Sequence, residues 1–143
     1  MLRASPLLAL VVVASCAAIA GTVPFSAPGH ERAVVTLEAG RDVRFWADFS
    51  ARYENALELD EAVAYEVELF QGGALVANVR CRPRESGLVS TCHERFHGLH
   101  SYEGNCRMAC IARVPASGPT EVRVTLSAPA SVHVERANVI VRQ

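Results

Sequence analysis

The sequence contains no lysine, since all fourteen of its basic residues are arginine. This absence excludes Schiff-base chemistry, the Walker phosphate loop and the Ser-x-x-Lys nucleophile. The motifs Gly-x-Ser-x-Gly and His-Glu-x-x-His are missing as well. Aromatic residues make up only 6% of the 143 residues, and a formal net charge of −1 argues against nucleic-acid binding. We therefore expect one small domain that is not an enzyme and needs no cofactor.

Residues 1–20 have the pattern of an export signal. Arg3 is followed by an apolar run over residues 6–13 and then by small residues. The run is shorter than the roughly 20 residues that a membrane-spanning helix needs. Two processing sites overlap in this segment. Ala18-Ile19-Ala20 fits ordinary signal-peptide cleavage, whereas a second site would leave Cys16 as the first residue of the mature chain.

The second site, Val13-Ala14-Ser15-Cys16, resembles the bacterial lipobox, in which the cysteine becomes the lipidated first residue. On this segment alone, the chain is similar to small exported lipoproteins of Gram-negative bacteria. The resemblance implies lipidation at Cys16 and a location in the periplasm or on the outer membrane. Cleavage after Ala20 would instead give a periplasmic or secreted protein. Contact with a membrane is expected only through the lipid anchor at Cys16.

Residues 21–31 contain two prolines and two glycines, which predicts a tether before a domain over residues 32–143. From residue 32 onward apolar residues recur at every second position, as in half-buried strands. Gly72-Gly73 predicts a hairpin turn. A change of apolar parity over residues 135–137 predicts either a β-bulge or two short strands. The pattern predicts an all-β antiparallel sandwich, Ig-like or jelly-roll, of about seven or eight strands.

Residues 83–108 lack this alternation, and we expect a long irregular loop there. Four cysteines lie in or beside the segment: Cys81, Cys92, Cys106 and Cys110. An even number of cysteines in an exported domain predicts two disulfides. Among the possible pairings we favour the nested one, Cys81 with Cys110 and Cys92 with Cys106. The reason is that Cys81 ends one predicted strand and Cys110 begins another, both in the inward register.

The same loop offers an alternative, a copper or zinc site. Cys92, His97 and His100 carry thiolate and imidazole groups, which suit both metals. The spacing Cys92-x4-His97 is loosely similar to the copper loop of blue-copper proteins. However, no methionine follows at the distance usual in that loop. Disulfides with solvated histidines are therefore the favoured interpretation.

The single tryptophan is the candidate ligand-binding residue. Strand alternation places Trp46 beside Arg44 and Asp48 on the outer face of its strand. A carbohydrate-binding sandwich uses an exposed tryptophan among polar groups to stack a sugar ring. Alternatively, Trp46 is covered by the 83–108 loop or by residues 51–60. Basic residues and histidines outnumber acids in and next to the loop, which is compatible with an anionic ligand.

Together these features predict a non-catalytic exported envelope protein that acts in binding or as a structural β-sandwich. Its expected partner is a protein or a glycan of the cell envelope. One alternative is a carbohydrate-binding module that uses Trp46 and the 83–108 loop. Another is a copper- or zinc-binding protein that uses the cysteines and histidines of that loop.

Overall fold

The computed structural model describes residues 17–83, 92–98 and 100–143. In these residues the chain forms nine strands and one short helix, α1 (Ala56–Glu61). The strands are β1 (Ile19–Val23), β2 (Gly29–Leu37), β3 (Val43–Tyr53), β4 (Ala64–Gln71), β5 (Ala74–Cys81), β6 (Cys92–Phe96), β7 (Ser101–Ala112), β8 (Gly118–Ser127) and β9 (Val132–Arg142). The all-β prediction is therefore confirmed.

The strands form two antiparallel sheets. One has five strands in the order β1-β9-β3-β7-β6, and the other has four in the order β2-β8-β4-β5. Apart from β6, this is the strand order of a jelly roll, in which two four-stranded sheets face each other. The sandwich is confirmed, and of the two predicted architectures the jelly roll is the one observed.

The core lies between the two sheets and is built from alternate residues of each strand. On β3, for example, Val43, Phe45, Ala47 and Phe49 are buried, whereas the residues that alternate with them are partly exposed. Full burial of such side chains contributes about 1.5–3 kcal/mol each. The buried hydroxyl of Tyr65 donates a hydrogen bond of 3.0 Å to the carbonyl oxygen of Ala137. This bond joins the sheets and satisfies a polar group that would otherwise be costly to bury.

Two local predictions are confirmed. Gly72 and Gly73, between β4 and β5, have φ values of 57° and 82°, which favour glycine. On β9, Arg136 lies opposite Ser50 but Val134 lies opposite Ala51, so one extra residue is accommodated between these pairs. This bulge reverses the parity of the apolar residues along β9, as the sequence indicated.

The predicted tether over residues 21–31 is wrong, because β1 covers much of its first half and β2 begins at Gly29. Val23 is fully buried and pairs with Val139 of β9. Gly21 permits a close approach between strands, since a Cβ atom there would lie 2.5 Å from Cγ1 of Val35. Pro24, Pro28 and Gly29 lie at strand ends, and the ordered domain begins well before residue 32.

The predicted loop over residues 83–108 is also wrong for most of its length, because β6 and β7 form a hairpin there. Residues 84–91 and 99 lie outside the described residues. On β7, Tyr102, Cys106 and Met108 are buried and alternate with polar residues. The sequence does alternate here, but few of its inward residues are strongly apolar, so the pattern is weak. Together with β1, this hairpin raises the number of strands to nine.

The predicted disulfide between Cys81 and Cys110 is present, with a Cα–Cα distance of 5.3 Å. It joins β5 of one sheet to β7 of the other. Cys106 is disulfide-bonded too. The backbone of Cys92 lies directly opposite Cys106 in the β6–β7 ladder, which is compatible with the nested arrangement. The pairing of Cys92 with Cys106 stays a prediction.

Candidate functional site

The outer face of the five-stranded sheet carries the candidate site. Trp46 lies on this face at the middle of the sheet, as the alternation predicts, and it is half-buried. Its backbone is in register with Arg107 on β7 and with Ile140 on β9. Because β3 has a neighbour on each side, the surroundings of Trp46 come from strands distant in sequence.

Trp46 lines a concavity of about 650 Å³. We call it the arginine concavity, because five arginines line it: Arg41, Arg44, Arg107, Arg113 and Arg142. The remaining lining residues are Ala17, Gly40, Asp42 and Gln143. Trp46 and Arg44, which the sequence predicts to be neighbours, do meet here.

Among the described residues, only one acid lines the arginine concavity, and it is shared by two arginines. Nε of Arg113 lies 2.7 Å from Oδ1 of Asp42, and Nη2 of Arg44 lies 3.6 Å from Oδ2. The hydrogen bond from Arg113 lowers the pKa of Asp42. At the rim, Arg41 pairs with Glu38 at 2.8 Å. These contacts neutralise only part of the positive charge.

Arg107 and Arg142 have no acidic partner within the described part of the chain. The guanidinium of Arg142 lies over the Trp46 ring at 4.9 Å from its centre, a cation–π contact. Nε of Arg142 is buried without a hydrogen-bond partner among these residues. Arginines held in this way are suited to binding carboxylate, phosphate or sulfate, because their donors form a planar fork.

Asp48, the third residue of the predicted site, belongs to a different group on the same face. Arg136 reaches Asp48 at 3.0 Å through Nε and Glu103 at 2.9 Å through Nη2. We call Asp48, Glu103 and Arg136 the paired cluster. They line a second concavity of about 510 Å³. The hydrogen bond from Arg136 is the main reason why the pKa of Glu103 is lowered.

The histidines of the predicted metal site have different neighbours. Nε2 of His97 lies 3.6 Å from Glu103, and the ring of His100 meets the ring of Tyr53 edge-on at 6.3 Å between centres. Within the described residues, no three His, Cys, Asp or Glu side chains are grouped so as to hold a metal ion. The side chain of Cys92 lies outside the description. The described residues therefore contain no set of ligands for the copper or zinc site.

Sequence reasoning missed Arg113 and Arg142 and counted Arg107 only among the basic residues of the 83–108 segment. The alternation along β7 and β9 does place Arg107 and Arg142 on an outer face. However, they meet Trp46 only because β3 lies between β7 and β9, and no local pattern specifies that strand order.

The fold and the site define a disulfide-bonded jelly-roll sandwich with a cationic concavity on one sheet. Comparisons with protein-family models, with curated proteins and with solved structures give no match. In the described residues, no helix has the length and apolar character needed to cross a membrane.

Proposed function

We propose that this chain is an exported, non-catalytic protein of the bacterial cell envelope, anchored through a lipid on Cys16. It acts by binding, and the arginine concavity is its binding surface. The observation that carries the binding function is the excess of arginine over acid around the single tryptophan of the chain. Such an excess in a protein of net charge −1 creates a local positive field that attracts anions.

The disulfide between Cys81 and Cys110 supports export. Such bonds persist in oxidising compartments and are rare in the bacterial cytosol. This one spans 29 residues and joins the two sheets of the sandwich. Its formation would therefore follow transport across the inner membrane.

Strand β1 supports processing at Cys16 in preference to cleavage after Ala20. The strand begins at Ile19, and Ala18 exchanges two backbone hydrogen bonds of 3.0 Å with Gln143. Cleavage after Ala20 would remove these bonds and two residues of the strand. Processing before Cys16 would retain β1 in full.

Labelling with a radioactive fatty acid in a bacterial host tests the anchor. We expect label on the wild-type chain and none on a Cys16→Ser variant, with Ser15→Ala as the matched control that retains the label. An unlabelled wild-type chain, or label that survives in Cys16→Ser, would refute the anchor.

A titration of Trp46 fluorescence tests the binding function, because Trp46 is the only tryptophan. Polyanions of the envelope should change its emission, and an Arg107→Gln/Arg142→Gln double variant should lose most of the response. An Arg32→Gln/Arg80→Gln double variant makes the same change in charge on the four-stranded sheet and should respond like the wild type. Equal responses in all three proteins would exclude the arginine concavity as the binding surface.

A carbohydrate-binding module is the second candidate function, favoured by the partial exposure of Trp46 in a concavity. The arginines would then select saccharides that carry carboxylate or sulfate groups. A glycan array distinguishes this candidate: acidic glycans should bind and neutral ones should not, and Trp46→Ala should abolish binding. Glycan binding that persists in the Trp46→Ala variant would exclude this second candidate function.

A further inference from the structure

The first described residue lies at the arginine concavity. Ala17 is one of the residues that line it, and the hydrogen bonds between Ala18 and Gln143 fix the neighbouring backbone to β9. In sequence, Ala17 directly follows Cys16, the proposed point of lipid attachment. A chain anchored there would hold the arginine concavity against the membrane.

The charges at this site match those of an anionic membrane surface. Arg107 and Arg142 have no acidic partner in the described chain, and Arg44 and Arg113 share one carboxylate. Basic residues that lie beside a lipid anchor attract anionic headgroups over a distance of about one Debye length. A lipid chain combined with a basic patch also gives far more stable membrane association than either signal alone.

Trp46 and Arg142 are also suited to the surface of an anionic membrane. Tryptophan is favoured at the membrane–water interface, where its ring lies at the level of the headgroups. The guanidinium of Arg142 lies over the Trp46 ring at 4.9 Å from its centre and holds a positive charge at this position through a cation–π contact. It also occupies a face of the indole on which a sugar ring would stack, which favours a phosphate group over a saccharide.

We infer that the arginine concavity binds the phosphate groups of anionic phospholipids in the membrane to which the chain is anchored. The inference rests on the proposed function, because it assumes both the anchor and the binding surface. It adds the ligand class and an orientation: the domain docks with the Ala17 end of the five-stranded sheet towards the bilayer. The four-stranded sheet then remains free of this contact.

The full chain, purified from the envelope and reconstituted through its own anchor, tests the inference. One set of vesicles contains phosphatidylglycerol and the other contains only phosphatidylcholine, and the readout is quenching of Trp46 by acrylamide. We expect Trp46 to be protected in the anionic vesicles only, and the protection to be lost at high salt, which screens exposed charges.

Matched variants assign the effect to the concavity. Each arginine near an anionic surface changes the docked-to-undocked ratio about fivefold, so Arg107→Gln/Arg142→Gln should lower it by about 25-fold. The control Arg32→Gln/Arg80→Gln removes the same charge from the four-stranded sheet, where these residues pair with Glu121 and Glu66. It should be protected like the wild type. Equal losses in the two double variants would overturn the inference, because net charge alone would then explain docking.

Two further outcomes separate the inference from the proposed function. If Trp46 is quenched equally in both vesicles, while a soluble polyuronate protects it in an Arg107- and Arg142-dependent way, lipid docking is refuted and the binding surface stands. If neither vesicles nor polyuronate protect Trp46, both the inference and the proposed binding surface are refuted. A chain that does not incorporate into either vesicle refutes the anchor and the inference together.

Discussion

The arginine concavity and the paired cluster lie side by side on one face of one sheet, yet they differ in how far their charged side chains are paired with opposite charges. Trp46 belongs to the first and Asp48 to the second, two residues apart on β3. In the paired cluster, Arg136 lies between two carboxylates within 3.0 Å of each. In the arginine concavity, two of five arginines have no acid within the described chain. The charges of the paired cluster are therefore balanced within the protein, whereas the arginine concavity is suited to binding an anionic ligand.

The contrast shows that the number of charged residues alone does not identify a binding surface. Both concavities are polar and similar in volume, at about 510 and 650 Å³. They differ in how far each charge is satisfied within the protein. Exposed ion pairs contribute little to stability, but they do remove the electrostatic attraction for an outside ion.

The largest expected effect concerns the disulfide, which meets β7 three residues beyond Arg107 and so supports the strand that both sites share. A Cys81→Ala/Cys110→Ala variant should lose about 3.5 kcal/mol of unfolding free energy, because the bridge closes a loop of 29 residues. Urea unfolding measures the loss. A decrease below about 1 kcal/mol would show that the bridge does little to hold the sheets together.

The segment that leads into β1 lines the arginine concavity through Ala17, so the packing of β1 bears on this site. Gly21→Ala should destabilise the protein by about 2 kcal/mol, because the new Cβ would meet the buried side chain of Val35. Thermal unfolding compares it with Thr22→Ala, an exposed neighbour on the same strand, which should be nearly neutral. Equal stability of the two variants would mean that β1 is not packed in the mature protein.

The same substitution should act differently at the two sites. Arg136→Gln leaves Asp48 and Glu103 without their shared cation and should cost about 1 kcal/mol. Arg142→Gln loses the cation–π contact with Trp46 but relieves repulsion among the arginines, so its net effect should stay within about 0.5 kcal/mol. Chemical denaturation of both variants provides the measurement. A cost for Arg142→Gln that matches Arg136→Gln would remove the difference between the sites.

The smallest expected effect is a change in the pH dependence of stability. The pKa of Glu103 is lowered from its ordinary 4.5, mainly by the hydrogen bond from Arg136. The resulting stability is fully present above about pH 4.5 and is lost as the pH falls through the lower folded value. Glu103→Gln should therefore lose less stability on acidification than the wild type.

Arg142→Gln serves as the control in this pH series and should keep the wild-type profile. Asp42, whose pKa is also lowered, maintains part of the acid sensitivity in every variant. Unfolding midpoints between pH 3 and 6 provide the test. A profile for Glu103→Gln that is identical to the wild type would show that its ion pair contributes nothing measurable.

The residue pattern predicted much of the fold because strands expose and bury alternate positions. It identified the turn at Gly72-Gly73, the bulge on β9 and the disulfide between Cys81 and Cys110. It failed where inward positions are small or polar. On β7, Gly104 faces inward beneath Tyr102, and a glycine gives no hydrophobic signal.

The candidate site was predicted only in part, for a reason of topology. The local pattern placed Trp46 and Arg44 on the outer face, which the structure confirms. It also assigned Asp48 to the same site, but in the structure Asp48 pairs with Arg136 of β9 and lines the second concavity. Arg142 comes from β9 as well. The pairing of Asp48 with Arg136 and the contact of Trp46 with Arg142 therefore both depend on β9 lying next to β3. The contact between these two strands joins residues about ninety positions apart, as in the Asp48–Asn138 hydrogen bond.

The pairing of Ala18 with Gln143 has a practical consequence for the design of reporters. The two backbone hydrogen bonds hold Gln143 at the rim of the arginine concavity, where it is part of the lining. An affinity tag or fluorescent protein fused directly after Gln143 would lie at the opening of the arginine concavity and obstruct binding. A short epitope inserted at Gly72-Gly73, in a tight turn of the four-stranded sheet, would leave the arginine concavity accessible.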